Sequence, residues 1–226
     1  GLLFEAKAPG FEILSDKTWD ATVYKAYGTA GEPEANYRLP ESNLSFDARK
    51  DITNWCSPSA PRLGRAMELP VIVGEPPFGT LVKRPIPMWK CTGLMDYPEV
   101  RRSGDTLVCS LPYNAQITPY LKVKAPAGRT IKMLTDHYKV ALAKTQCLWG
   151  EYITRDGVQE YESLGWLNGD KMMYIVPSDV EVIDVKYRET GYDTEITGTF
   201  ECDDPFLNEY WRSEEHTSEL QSPVPI

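Results

Sequence analysis

The stretch TLVCSLPYNAQITPYLKVKAPAGRTIKML (residues 106–134) decides the class of fold. TLVCSL (106–111), ITPYLKVKA (117–125) and RTIKML (129–134) are strand-like runs rich in β-branched and apolar residues. The same grammar continues in LWGEYIT (148–154), VQEYESL (158–164), MMYIV (172–176) and VEVIDVKYRE (180–189). Strand-sized runs about ten residues apart are the rhythm of a β-sandwich. Asp156-Gly157 stands between two such runs, where a two-residue type I′ hairpin needs residues that accept positive φ. Pro126-Ala127-Gly128 predicts a second hairpin. Between Val180 and Tyr187 the apolar residues fall at 180, 182, 183, 185 and 187, so the alternation slips by one. A β-bulge near Ile183–Asp184 accounts for the slip.

Working towards the N-terminus, GLLFEA (1–6), FEIL (11–14) and TWDATVY (18–24) read as strands separated by Pro9-Gly10 and Ser15-Asp16 turns, the end of a preceding β module. From Ser57 to Pro87 seven prolines (58, 61, 70, 76, 77, 85 and 87) interrupt any long element. This segment reads either as a crossing between two β modules or as edge strands of one of them. Towards the C-terminus the grammar changes after Phe200. Asp203-Asp204-Pro205 offers an acidic cap with proline in the first turn, and Phe206, Leu207, Tyr210 and Trp211 follow at helical spacing.

The 226 residues are 42% apolar and 25% charged, enough for one large core or two modest ones. A net charge of -9 repels nucleic-acid phosphates and anionic lipid head groups, so neither is an expected partner. Aliphatic runs such as Val71–Val73 fall far short of the roughly 20 residues of a membrane-spanning helix. The five cysteines, 56, 91, 109, 147 and 202, contain no C-x-x-C pair, so no zinc-site pattern is present. The sequence opens at Gly1, which leaves room for an upstream segment, a signal peptide included.

Residues 212–226, RSEEHTSELQSPVPI, resemble the in-frame translation of a sequencing-library adapter and its index; the plainer reading is a polar C-terminal tail. Setting aside their one Arg and three Glu takes the net charge from -9 to -7 and leaves His137 as the remaining histidine. A single histidine gives no basis for a multi-histidine metal site, and no triad motif accompanies it.

Four segments together resemble the bacterial α-L-rhamnosidases, inverting glycoside hydrolases with an (α/α)6 catalytic barrel. They are YRLPESNLSFDARKDI (37–52), RPIPMW (84–89), QEYESLGWLNGD (159–170) and KYRETGYDTEITGTFECDDPFLNEYW (186–211). The resemblance implies antiparallel β-sandwich modules, of jelly-roll or concanavalin-like kind, ahead of the barrel. Residues 1–79 would be the remnant of one sandwich plus the proline-rich crossing, residues 80–200 an accessory sandwich, and residues 201–211 the beginning of the first barrel helix. The family's catalytic acids lie in the barrel near a Cys-Pro-Asp-Arg-Glu-Arg-like run, which this sequence lacks, so no catalytic residue carries over. The implied chemistry pairs a general acid with a general base that activates water, and needs neither metal nor cofactor. The implied partners are a rhamnose-containing glycoside or polysaccharide and the barrel in cis.

Several residues invite a functional reading beside a plainer one. Glu160 and Glu162 share a strand face as a possible carboxylate pair, or simply face solvent. Asp203 and Asp204 have the chemistry of calcium ligands, or cap the helix. His137 beside Asp136 is a general-base candidate, or a loop or edge-strand histidine. Trp19, Trp55, Trp89, Trp149 and Trp166 can stack on sugar rings, or pack in the core and between modules. Trp166 is the first carbohydrate-binding candidate, because turn chemistry at Asn168-Gly169 would place it near a loop. Asn43-Leu44-Ser45 is a glycosylation sequon that matters in a secretory eukaryotic setting. The alternative to an enzyme's accessory region is a free-standing carbohydrate-binding sandwich.

Overall fold

The computed structural model describes residues 5–14, 23–30, 43–52, 57, 82–90, 92–136, 149–193 and 199–215. The chain divides into two compact units, residues 1–25 with 52–85 and residues 26–51 with 86–226. In the first unit, β1 (Glu5–Ala8) and β2 (Phe11–Leu14) form an antiparallel hairpin about the Pro9-Gly10 turn. Of TWDATVY, residues 18–22 lie outside the described residues, and Val23 and Tyr24 are not in a strand. Residues 58–81 of the proline-rich segment lie outside them as well.

The second unit is built around one strand. β7 (Thr106–Ala125) runs for 20 residues, so the two strands read at 106–111 and 117–125 are one. Its odd-numbered residues from Leu107 to Leu111 and from Ala115 to Ala125 are buried, and the even ones between Thr118 and Lys124 are not. Along the first half, β7 pairs with β6 (Glu99–Ser103) on one edge and β11 (Leu167–Ile175) on the other. Along the second half it pairs with β10 (Gly157–Glu162) and β12 (Glu181–Glu189). Between the halves Gly169 faces Ala115 while Lys171 faces Ser110, so Leu111–Asn114 form an outward kink at Pro112, where a missing N–H costs no ladder bond.

From β11 the first layer continues through β8 (Thr130–Thr135), β9 (Gly150–Ile153), β4 (Leu44–Asp47) and β3 (Tyr27–Thr29). The second layer ends at β5 (Met95–Asp96), next to β12. The pairing is antiparallel except between β4 and β9, where Ser45, Phe46 and Asp47 run parallel to Glu151, Tyr152 and Ile153. The layers face each other through aromatic side chains. Tyr161 of β10 stacks on Tyr152 and Phe46, with ring centroids 4.8 and 5.0 Å away. Tyr174 of β11 donates to the carbonyls of Tyr120 and Lys186 and shares a 2.9 Å hydrogen bond with Tyr97. The described chain is thus mainly β, its second unit a sandwich-like domain, with one α-helix among the described residues, α1 (Pro205–Glu215).

Two sequence expectations meet the structure directly. The bulge falls where the slip placed it, since Val182 faces Val123 while Asp184 faces Lys122. With Ile183 as the extra residue, Val182, Val185 and Tyr187 all lie opposite inward-facing residues of β7. The helix begins after Asp204, whose carboxylate accepts from Phe206 N at 2.9 Å.

The two hairpins are corrected. β9 and β10 do not pair with each other, because β9 joins β8 and β4 while β10 joins β7. Gly157 does adopt φ 89, as the Asp-Gly signal requires, but the turn carries the chain from one layer to the other. Gln159 holds that turn by accepting from Arg155 N and donating to the Arg155 and Gly157 carbonyls. Pro126-Ala127-Gly128 likewise carries the chain between layers, from β7 to β8. The two crossings zip together: Gly128 N donates to Thr154 O, Thr154 N to Arg129 O, and Ala127 N to the Asp156 carboxylate.

Candidate functional site

Trp166 is half-buried and follows a bend at Ser163–Gly165, in which Ser163 Oγ accepts from Gly165 N at 3.1 Å. Asn168-Gly169 is not a turn. Both residues lie in β11, opposite Gln116 and Ala115. The glycine serves close approach: a Cβ there would stand 2.7 Å from Asp136 Oδ1 and 2.8 Å from Thr135 Cβ. The Asp136 carboxylate occupies that space and accepts from the N–H groups of Asp170 and Lys171 at 3.1 and 3.0 Å. It thereby holds the irregular step of β11, where ladder bonds are interrupted. His137, its neighbour, lies outside the described residues, as do Trp19 and Trp55.

Glu160 and Glu162 do share the outer face of β10, but each has its own partner. Tyr120 donates to Glu160 at 2.9 Å. Glu162 receives a two-pronged contact from Arg188 at 2.6 and 3.0 Å and a hydrogen bond from Thr118 at 3.0 Å. Arg188 also donates to Thr92 O. The hydrogen bonds from Arg188, opposed by partial burial and aided by Thr118, hold the Glu162 carboxyl below its ordinary range. A glycosidase acid needs the reverse, a carboxyl whose proton is retained near neutral pH. Through these contacts the two carboxylates tie β10 to β7 and β12. Tyr120 is pushed up to about 12, by burial and then by Glu160, and stays a neutral donor.

The other singled-out residues resolve in the same manner. Asp204 caps α1, and Asn208 closes the entry by exchanging hydrogen bonds with the backbone of Cys202. Among the described residues no group of three or more His, Cys, Asp or Glu is placed to hold a metal ion. Trp149 is half-buried, donates to Glu151 at 2.9 Å and lies 5.3 Å beneath the Lys132 ammonium. Trp89 is exposed and bridges to Tyr192, with ring centroids 6.1 Å apart. Asn43 of the sequon is 0% exposed and accepts from Trp149 N, so the folded chain offers no acceptor amide there. Within the kink, Tyr113 donates to Glu189 at 2.6 Å and Lys90 lies 3.8 Å from the same carboxylate. Sequence reasoning missed that cluster because its members are up to 99 residues apart and none belongs to a motif.

The four quoted segments meet in space. Phe46 of the first stacks on Tyr161 of the third, Glu162 of the third is clamped by Arg188 of the fourth, and Trp89 of the second bridges to Tyr192 of the fourth.

No protein-family model and no curated protein matches the sequence. Solved structures do match in fold. The α-L-rhamnosidase from Dictyoglumus thermophilum aligns at TM-score 0.61 and 20% identity, over 88% of this chain and 22% of that one. The Streptomyces avermitilis α-L-rhamnosidase complexed with L-rhamnose aligns at TM-score 0.61 and 19% identity, over 88% and 19%. The α-L-rhamnosidase from Aspergillus terreus aligns at TM-score 0.59 and 18% identity, over 92% and 24%. The chain spans about a fifth to a quarter of the length of these enzymes, and what it has in common with them is the fold of a β-rich part of an α-L-rhamnosidase.

Proposed function

We propose that the chain serves as the non-catalytic β region of a larger α-L-rhamnosidase-like glycoside hydrolase, buttressing a helical catalytic barrel and shaping access to it. In that reading residues 80–200 are the accessory sandwich, to which β3 and β4 of residues 27–47 add two strands, 201–211 lead into the barrel and 212–226 are foreign sequence. The observation that carries it is the fold likeness, which runs over 88–92% of the chain in three α-L-rhamnosidases. The carboxyl groups offer a second support. Asp47 and Glu162, clamped by Arg49 and Arg188, are both held below the ordinary carboxyl range, the wrong sense for a general acid. The parent enzyme would hydrolyse terminal α-L-rhamnosides with inversion, using two carboxyl groups about 6.5–9.5 Å apart, which the resemblance places in the barrel.

Purified chain is expected to release no aglycone from an aryl α-L-rhamnoside. Turnover that survives repurification from a second host would overturn the proposal. Long-read sequencing of the locus gives an independent check. A helix-rich continuation past Trp211 with a Cys-Pro-Asp-Arg-Glu-Arg-like run supports it, whereas a stop codon there removes the enzyme. Binding of rhamnose-containing glycans that is lost in Trp166→Ala would favour the free-standing sugar-binding sandwich instead.

A further inference from the structure

We draw no further inference here: the strongest candidate, the exposed aromatic patch formed by Trp89 and Tyr192 beside Ile86 and Met88 on the segment that leads into β5, carries nothing because nothing in the structure shows what covers it.

Discussion

Replacing Gly169 by alanine tests the account of the β11 step most sharply. The added methyl would lie 2.7 Å from Asp136 Oδ1, 2.8 Å from Thr135 Cβ and 3.3 Å from Thr135 Oγ1. Carbon–carbon contacts are comfortable only at about 3.5–4.0 Å. Thr135 is fully buried and its Cβ is fixed to the β8 backbone, so it cannot swing aside. Asp136 can, but only by giving up its hydrogen bonds from Asp170 N and Lys171 N. Overpacking of this kind costs about 1–3 kcal/mol, and a hydrogen bond to a charged acceptor is worth about 1.5–3 kcal/mol. Lower entropy of the unfolded chain returns about 0.4–1 kcal/mol. A net loss of about 2–3 kcal/mol follows, which for a chain of this size lowers Tm by about 5–10 °C. Gly93→Ala is the control, since its Cβ meets nothing within 4 Å and its backbone is not in the left-handed region. Urea melts followed by tryptophan fluorescence should show a midpoint lowered by about 1 M for Gly169→Ala, at an m-value of about 2–3 kcal/mol/M, and an unmoved one for Gly93→Ala. Adding Asp136→Ala to Gly169→Ala should cost less than the sum of the single changes, because the clash and the carboxylate share one space. Equal midpoints for the two glycine variants would refute the close-approach argument.

Three further outcomes follow from the buried and paired groups. Asp47 and Glu162 have folded pKa values below their ordinary 3.8 and 4.5, so the stability they add is present above those values and is lost as pH falls beneath them. Asp47→Asn combined with Glu162→Gln should therefore flatten the loss of stability between roughly pH 5 and 2; an acid limb as steep as the wild type's would sink the assignment. Cys109 is wholly buried and its thiol is pushed up to about 12, so at pH 8 iodoacetamide should label Cys109 only under denaturant, and rapid native labelling in peptide maps contradicts its placement. The Tyr161 hydroxyl is buried and meets no hydrogen-bond geometry among the described residues, with Ser163 the polar side chain that acts on it, so Tyr161→Phe should be neutral or stabilise by about 1 kcal/mol, whereas a loss above about 1 kcal/mol in the same melts would show that Ser163 is a working partner.

What could be read from the residues was local. Alternation identifies a face whatever the partner strand, so β8, β10, β12 and the bulge at Ile183 were legible before any pairing was known. The Asp204-Pro205 cap was legible because its donor, Phe206 N, is two residues away. Pairing was not. Asp156-Gly157 specifies a backbone able to reverse at positive φ, and that same geometry serves a hairpin or a crossing between layers. Which one forms depends on Gln159 and on the Gly128–Thr154 zip, about 30 residues of sequence away. Gly169 misled for a related reason: in isolation Asn-Gly signals a turn, while the features that demand glycine are Thr135 at the end of β8 and the Asp136 carboxylate just past it. As to the candidate site, the period of two rightly put Glu160 and Glu162 on one face, but Arg188 on β12 and Tyr120 on β7 settle what those carboxylates do.

The continuity of β7 through both layers has a mechanical consequence. In a sandwich whose layers are joined only by loops, one layer can slide or lift while its internal ladders persist. Here the strand that anchors β6 and β11 also anchors β10 and β12, so shearing the layers apart must bend or break the shared strand at Leu111–Asn114. Motion should therefore concentrate at that kink, where Pro112 and Tyr113 are exposed, and the rest of the unit should transmit load as one stiff body. Such stiffness is what the buttressing role proposed above would require.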